Sequence, residues 1–166
     1  MRGRYWAMYT ALKHKEFYYE NYSIRAKRIN GTITGFLTTF SLGGVSSWFI
    51  WDYSPLYLIG PILAAVAQLV QALAHHHFPF AKQVSAFKFL LPKLSELMLK
   101  IDSSWLDISV KSYNDKTISK LTTQYQAEYN ELIAHYTNSL YLPEIKRCDE
   151  KATIDSKSYF KQHYNV

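Results

Sequence analysis

Two stretches, Ile29–Trp51 (INGTITGFLTTFSLGGVSSWFIW) and Leu56–Phe78 (LYLIGPILAAVAQLVQALAHHHF), decide how this chain folds. Neither contains Asp, Glu, Lys or Arg, and Asp52 is the single formal charge in residues 29–81. Taken whole, the chain is ordinary: 166 residues, 48% hydrophobic, 19% charged, net charge +6, with a mean hydropathy of -0.18. The average conceals a segregation of charge that a solvated or disordered chain would not have. A bilayer core about 30 Å thick takes about 20 helical residues. Each stretch therefore has the length of one membrane span.

The connector Asp52-Tyr53-Ser54-Pro55 is short and turn-like, which predicts an antiparallel hairpin of spans 29–51 and 56–78 within a segment 29–81. Trp48, Trp51 and Tyr53 crowd its tip, as amphipathic rings do at a membrane–water boundary. Residues 1–28 carry seven Lys and Arg against Glu16 and Glu20, residues 82–166 carry twelve against ten Asp and Glu, and the connector carries none. The positive-inside tendency then places both termini in the cytoplasm of a multi-pass plasma-membrane protein. Arg25, Lys27 and Arg28, just before the first span, are the expected headgroup anchors. The plain alternative is a soluble bundle whose two buried helices lack charge. No cleavable leader is visible, and a lone Cys148 forms no intrachain disulfide.

The flanks read as helices, with no strand-period alternation. In residues 1–28, Trp6, Tyr9, Leu12, Tyr19 and Tyr22 interleave with Lys and Arg, suiting either a membrane-surface helix or one packed on the cytoplasmic part. In residues 82–166 a break is expected at Pro92, and Asp102, Ser103 and Ser104 offer caps for a new start. A stripe from Ile118 to Tyr136 marks a helix that ends before Pro143, and Ser158–Tyr164 forms a last short piece. The expected fold class is all-α: an amino-terminal helix, a transmembrane hairpin and a cytoplasmic carboxy-terminal helical bundle.

No catalytic constellation, phosphate-cradling glycine loop or cofactor motif occurs, so the expectation is a non-enzyme without cofactor or metal. His75-His76-His77 cannot converge on one ion from one helix, because neighbours point about 100° apart. The positive charge is concentrated before the first span and argues for a membrane surface ahead of a nucleic acid polymer.

The informative pattern lies within the spans. Gly31, Gly35, Thr39, Gly43 and Ser47 recur every fourth residue, a stripe that lets another helix approach closely. On the second stretch Gln68, Gln71 and His75 share a face. An amide in hydrocarbon without a partner costs several kcal/mol, so these glutamines call for other protomers or a water-filled lumen. A homo-oligomer follows as the expectation. Lys111, Lys116 and Lys120, near tyrosines, are weak candidates for contacting an anionic ligand.

The aromatic, basic start (Trp6, Tyr9, Lys13, Tyr18, Tyr19, Tyr22, Arg25, Arg28), the two-span hairpin, the segment Tyr125–Leu132 (YQAEYNEL) and the closing Ser158–Val166 (SYFKQHYNV) resemble the SLATT family, the SMODS- and SLOG-associating two-transmembrane effectors of bacterial conflict systems. The resemblance implies an anti-phage effector of the bacterial inner membrane. It would oligomerise and permeabilise that membrane on an infection signal, in an abortive response. The signal would come from a separately encoded sensor or nucleotide synthase, with a cyclic nucleotide as one such messenger. The competing reading is a non-conducting, membrane-anchored scaffold or sensor that recruits a cytosolic defence partner.

Overall fold

The computed structural model describes residues 1–50, 62, 65–66, 68–69, 80–110 and 113–165, with the side chains of 40–50 left aside. The described residues are all-α. The helices are α1 (Arg2–Ile50), α2 (Phe80–Val110), α3 (Asp115–Thr137) and α4 (Lys146–Tyr164), and residues 62, 65–66 and 68–69 are also helical. The chain divides into two compact units, one of Met1–Ile24 with Gln83–Val166, the other of Arg25–Lys82.

The first unit is a four-helix bundle. Helix α1 supplies Tyr5, Met8, Tyr9 and Leu12, spaced to share one helical face, and all four are buried. Opposite them α2 buries Leu94, Leu97, Met98, Ile101 and Ile108, while α3 adds Ile118, Tyr125 and Tyr129. Tyr5 reaches Ile101 and Tyr22 reaches Phe87, so α1 and α2 run antiparallel. Trp6 meets Tyr164 and Tyr18 meets Ile145, which sets α4 antiparallel to α1 as well. Ser104 meets Tyr125 and Lys100 meets Glu128, so α2 and α3 are antiparallel too. The amino-terminal aromatic helix is thus a core element of the bundle.

Local chemistry accounts for the helix ends. Asn114 caps α3, its side chain accepting from the Lys116 N–H at 3.2 Å, with Asp115 in the first turn and His135 in the last, each favourable to the helix dipole. Asn165, in the left-handed region at φ 54°, closes α4.

Several expectations are corrected. Pro92 does not break α2, and Asp102, Ser103 and Ser104 do not begin a helix, because α2 is continuous from Phe80 to Val110. Pro92 is exposed, so the carbonyl it leaves unpaired, that of Lys88, can turn to water. Buried side chains continue on both sides of it, from Phe87 and Leu90 to Leu94 and Leu97. The last helix begins at Lys146, twelve residues ahead of Ser158. Its buried positions are Cys148, Ala152, Ser156 and Phe160, a four-residue period hidden by small side chains. Helix α1 runs from Arg2 through the start of the uncharged stretch to Ile50.

Among the described residues, no helix is long and apolar enough to cross a membrane. The second unit nonetheless presents apolar side chains outward: Phe36 is 50% exposed, Ile62 59%, Val66 48% and Leu69 63%. Thr32, Thr38 and Thr39 return their hydroxyls to the carbonyls of Arg28, Thr34 and Gly35, four residues back, so the helix satisfies them itself.

Replacing Pro92 by Ala restores the missing backbone bond on an exposed face and should stabilise the bundle by about 1–3 kcal/mol. Leu94→Ala, at a site with no exposure, should cost about 2–5 kcal/mol. Thermal melts followed by circular dichroism measure both.

Candidate functional site

Aromatic residues from α1, α2 and α4 meet at one end of the bundle, around a single carboxylate. Tyr9 donates its hydroxyl proton to Asp102 Oδ1 at 2.7 Å, and Tyr164 donates to the same oxygen. Tyr9 has no second proton, so in its 3.2 Å contact with Tyr159 it accepts. Burial foremost, then the bonds to Tyr159, Tyr164 and Asp102, raises the Tyr9 hydroxyl far above its usual range. Tyr164 is raised too, first by burial and then by Asp102. These phenols stay protonated and act as donors. Trp6 packs on Trp105, Phe160 and Tyr164 within about 5 Å between ring centroids. The assembly is a structural clamp: neutral donors hold a carboxylate, and rings fill the space around it.

Along the same α1–α4 seam, Lys13 and Glu16 pair at 2.6 Å with their side chains only 13% and 12% exposed. The Lys13 ammonium also lies 4.3 Å from the Tyr159 ring centroid. Burial raises the Glu16 carboxyl above its ordinary 4.5, against the opposing pull of Lys13. Asn21 donates to Asp155 at 2.9 Å, a further polar contact between these two helices.

A cleft of about 560 Å³ opens in the bundle unit, a size typical of small-molecule sites. One wall is a stripe of α1 bearing His14, Lys15, Tyr18, Tyr19 and Tyr22, and the other comprises Leu142, Glu144 and Ile145 with the first turn of α4, Lys146 and Asp149. Ile145 occupies the N-cap of α4 and provides no side-chain cap. Its own N–H donates to the Tyr18 hydroxyl at 3.3 Å, which pins loop to helix. His14 Nε2 stands 3.2 Å from Thr153 Oγ1 and 3.6 Å from Asp149 Oδ1. Burial raises the Tyr18 hydroxyl, the Ile145 N–H opposing and Glu144 and Asp149 adding to the rise.

None of the described residues singled out from sequence as site residues lines this cleft. Lys116 and Lys120 are exposed on α3 and do not line the cleft. Arg25, Lys27 and Arg28 are exposed on α1, in the second unit. Gly31, Gly35 and Thr39 are exposed on the same helix, and a Cβ added at either glycine would meet nothing within 4 Å. Gln68 is helical and exposed. Gly43, Ser47 and Trp48 lie in α1 beyond its described side chains, and Trp51, Tyr53, Gln71, His75 and Lys111 lie outside the described residues. Among the described residues no group of three His, Cys, Asp or Glu could hold a metal. Sequence reasoning missed the cleft, although His14 or Lys15, Tyr18 and Tyr22 repeat at helical spacing and could have signalled a lined face.

Asp102→Ala leaves two tyrosine hydroxyls without their acceptor and should cost about 1–3 kcal/mol, with Asp102→Asn restoring part of the loss. Because folded Glu16 holds its proton more tightly than the unfolded chain does, the bundle should lose stability as pH rises from about 4.5 through the raised value. Glu16→Gln should remove that slope in melts recorded between about pH 4 and pH 7.

No family model, curated protein or solved structure matches the chain.

Proposed function

We propose that the protein is a membrane effector of bacterial defence. In this reading a two-span hairpin carried by residues 29–81 assembles with other copies in the inner membrane and permeabilises it. The helical bundle faces the cytoplasm and receives the signal from a separately encoded sensor or nucleotide synthase. The observation that carries the reading is the 53-residue segment whose one formal charge is Asp52. Its described apolar side chains Phe36, Ile62, Val66 and Leu69 are turned outward. Water is a poor solvent for such a surface; lipid or another subunit is a good one. The second span falls largely outside the described residues, and the diffuse resemblance to the two-transmembrane effectors is the reason for reading defence into the pair.

Two further details favour assembly over a solitary hairpin. Among the described residues nothing packs in front of Gly31 or Gly35, which leaves that face open to another helix. Gln68, exposed on the helical segment that also exposes Val66 and Leu69, has an amide that hydrocarbon alone would leave unsatisfied. Several protomers supply both the close neighbour and the polar environment.

Reconstituted in liposomes, the wild-type protein should release an encapsulated dye when triggered or at high density, and Gln68→Leu/Gln71→Leu should abolish the release. Gly31→Leu/Gly35→Leu should lower the mass of the detergent-solubilised oligomer. A protein that stays oligomeric, binds its partner and never releases dye would instead be a membrane-anchored scaffold.

A further inference from the structure

We infer that the outer face of α2 is a contact between two copies of this chain, joined antiparallel about a two-fold axis that passes between Leu99 and Ser103. The inference concerns the bundle unit alone and stands independently of the membrane reading. Helix α2 turns Leu94, Leu97, Ile101 and Ile108 inward, yet on its opposite side Leu99, Leu106 and Val110 are 68%, 53% and 83% exposed. With Pro92, Glu96 and Ser103, all exposed, they form a stripe that advances in alternating steps of four and three residues. That alternation is the seam repeat of a coiled coil, about 27 Å long here at about 1.5 Å per residue. A seam of this kind is covered by a second helix with the same repeat, and the α2 of another copy has it by identity.

Side-chain size and charge decide the direction of pairing. In the antiparallel arrangement Leu99 of one copy faces Ser103 of the other, Leu106 faces Glu96 and Val110 faces Pro92, each contact made twice. Large then lies against small at the centre, as interdigitating layers require. Glu96 is held toward one flank by Lys93 at 3.3 Å and Lys100 at 3.5 Å, so its methylenes are left to meet Leu106. On that flank Lys93 of one copy comes beside Asp107 of the other, opposite charges that favour this register. The two Lys100 side chains near the axis are each answered by Glu96 and Glu128 of their own chain. A parallel pair would instead set Glu96 against Glu96 within the seam and Lys88 beside Lys93 at its rim. Both juxtapositions bring like charges together, which selects against that direction.

Cross-linking of the full chain in detergent tests the register. In a Cys148→Ser background, chains carrying Pro92→Cys and chains carrying Val110→Cys are co-expressed and treated with a short bismaleimide. Together they should give a covalent dimer, whereas either variant alone should give none, because antiparallel pairing sets each position far along the seam from its own mate. Adding Leu99→Glu/Leu106→Glu to both chains should abolish the dimer. Both leucines are exposed, so thermal melts should show those chains still folded. The inference is overturned if the co-expressed chains give no covalent dimer, or if each single variant cross-links as readily as the mixture, the mark of a parallel seam. It is also overturned if the folded glutamate variant keeps the cross-link. Loss of liposome binding by Leu99→Glu/Leu106→Glu with no cross-link in the parent chains would make the face a lipid contact, and would overturn it as well. Cross-linking at α2 and dye release by the hairpin are separate readouts, so the failure of one reading leaves the other standing.

Discussion

A buried tyrosine brings a large apolar ring and a hydroxyl that must find an acceptor. That double demand organises the bundle. Tyr5 satisfies it with the Ile101 carbonyl at 2.9 Å, and Tyr9 and Tyr164 with the Asp102 carboxylate. Leucines could have filled the same volume without specifying a register. Here each phenol fixes the height of one helix against another, because sliding by a turn would leave a hydroxyl in an apolar interior. Among the described residues the carboxylate at the centre is held by tyrosine hydroxyls and not by lysine or arginine, its donors coming from two other helices.

The polar pairs on the α1–α4 seam play a lesser part. Lys13 with Glu16 is a local pair on α1 whose ammonium also meets the Tyr159 ring, and burial of the carboxyl outweighs the pull of Lys13. Exposed pairs such as Lys93 with Glu96 lie on solvated faces, where such contacts contribute little. Cohesion comes from rings and hydroxyls, and surface charge tunes it.

The sequence was legible where side chains are large. Tyr9 and Leu12 on α1, Leu94 to Ile108 on α2 and Ile118 to Tyr129 on α3 repeat at helical intervals, and their burial follows that pattern. It was least legible where a small residue does the packing. Cys148, Ala152 and Ser156 carry the buried face of α4, so nothing bulky advertised its first three turns. Pro92 misled for a different reason: its cost to the backbone is local, whereas the apolar stripe on either side of it is long. The cleft escaped because it is made jointly by a helix face and by residues 142–149, more than 120 positions away. Spacing within one segment cannot reveal a partner so distant in the chain.

The two units are nested: residues 25–82 interrupt the bundle between its first helix and its second. Tyr5 therefore waits 96 residues for Ile101, and Tyr9 waits 150 for Tyr159. At a synthesis rate of about 5–20 residues per second, the aromatic face of α1 emerges roughly eight to thirty seconds before α4 can cover it. During that interval a row of tyrosines and tryptophan stands bare on the nascent chain. Holdase chaperones that bind such faces have a defined window in which to act, and it closes when the last helix leaves the ribosome.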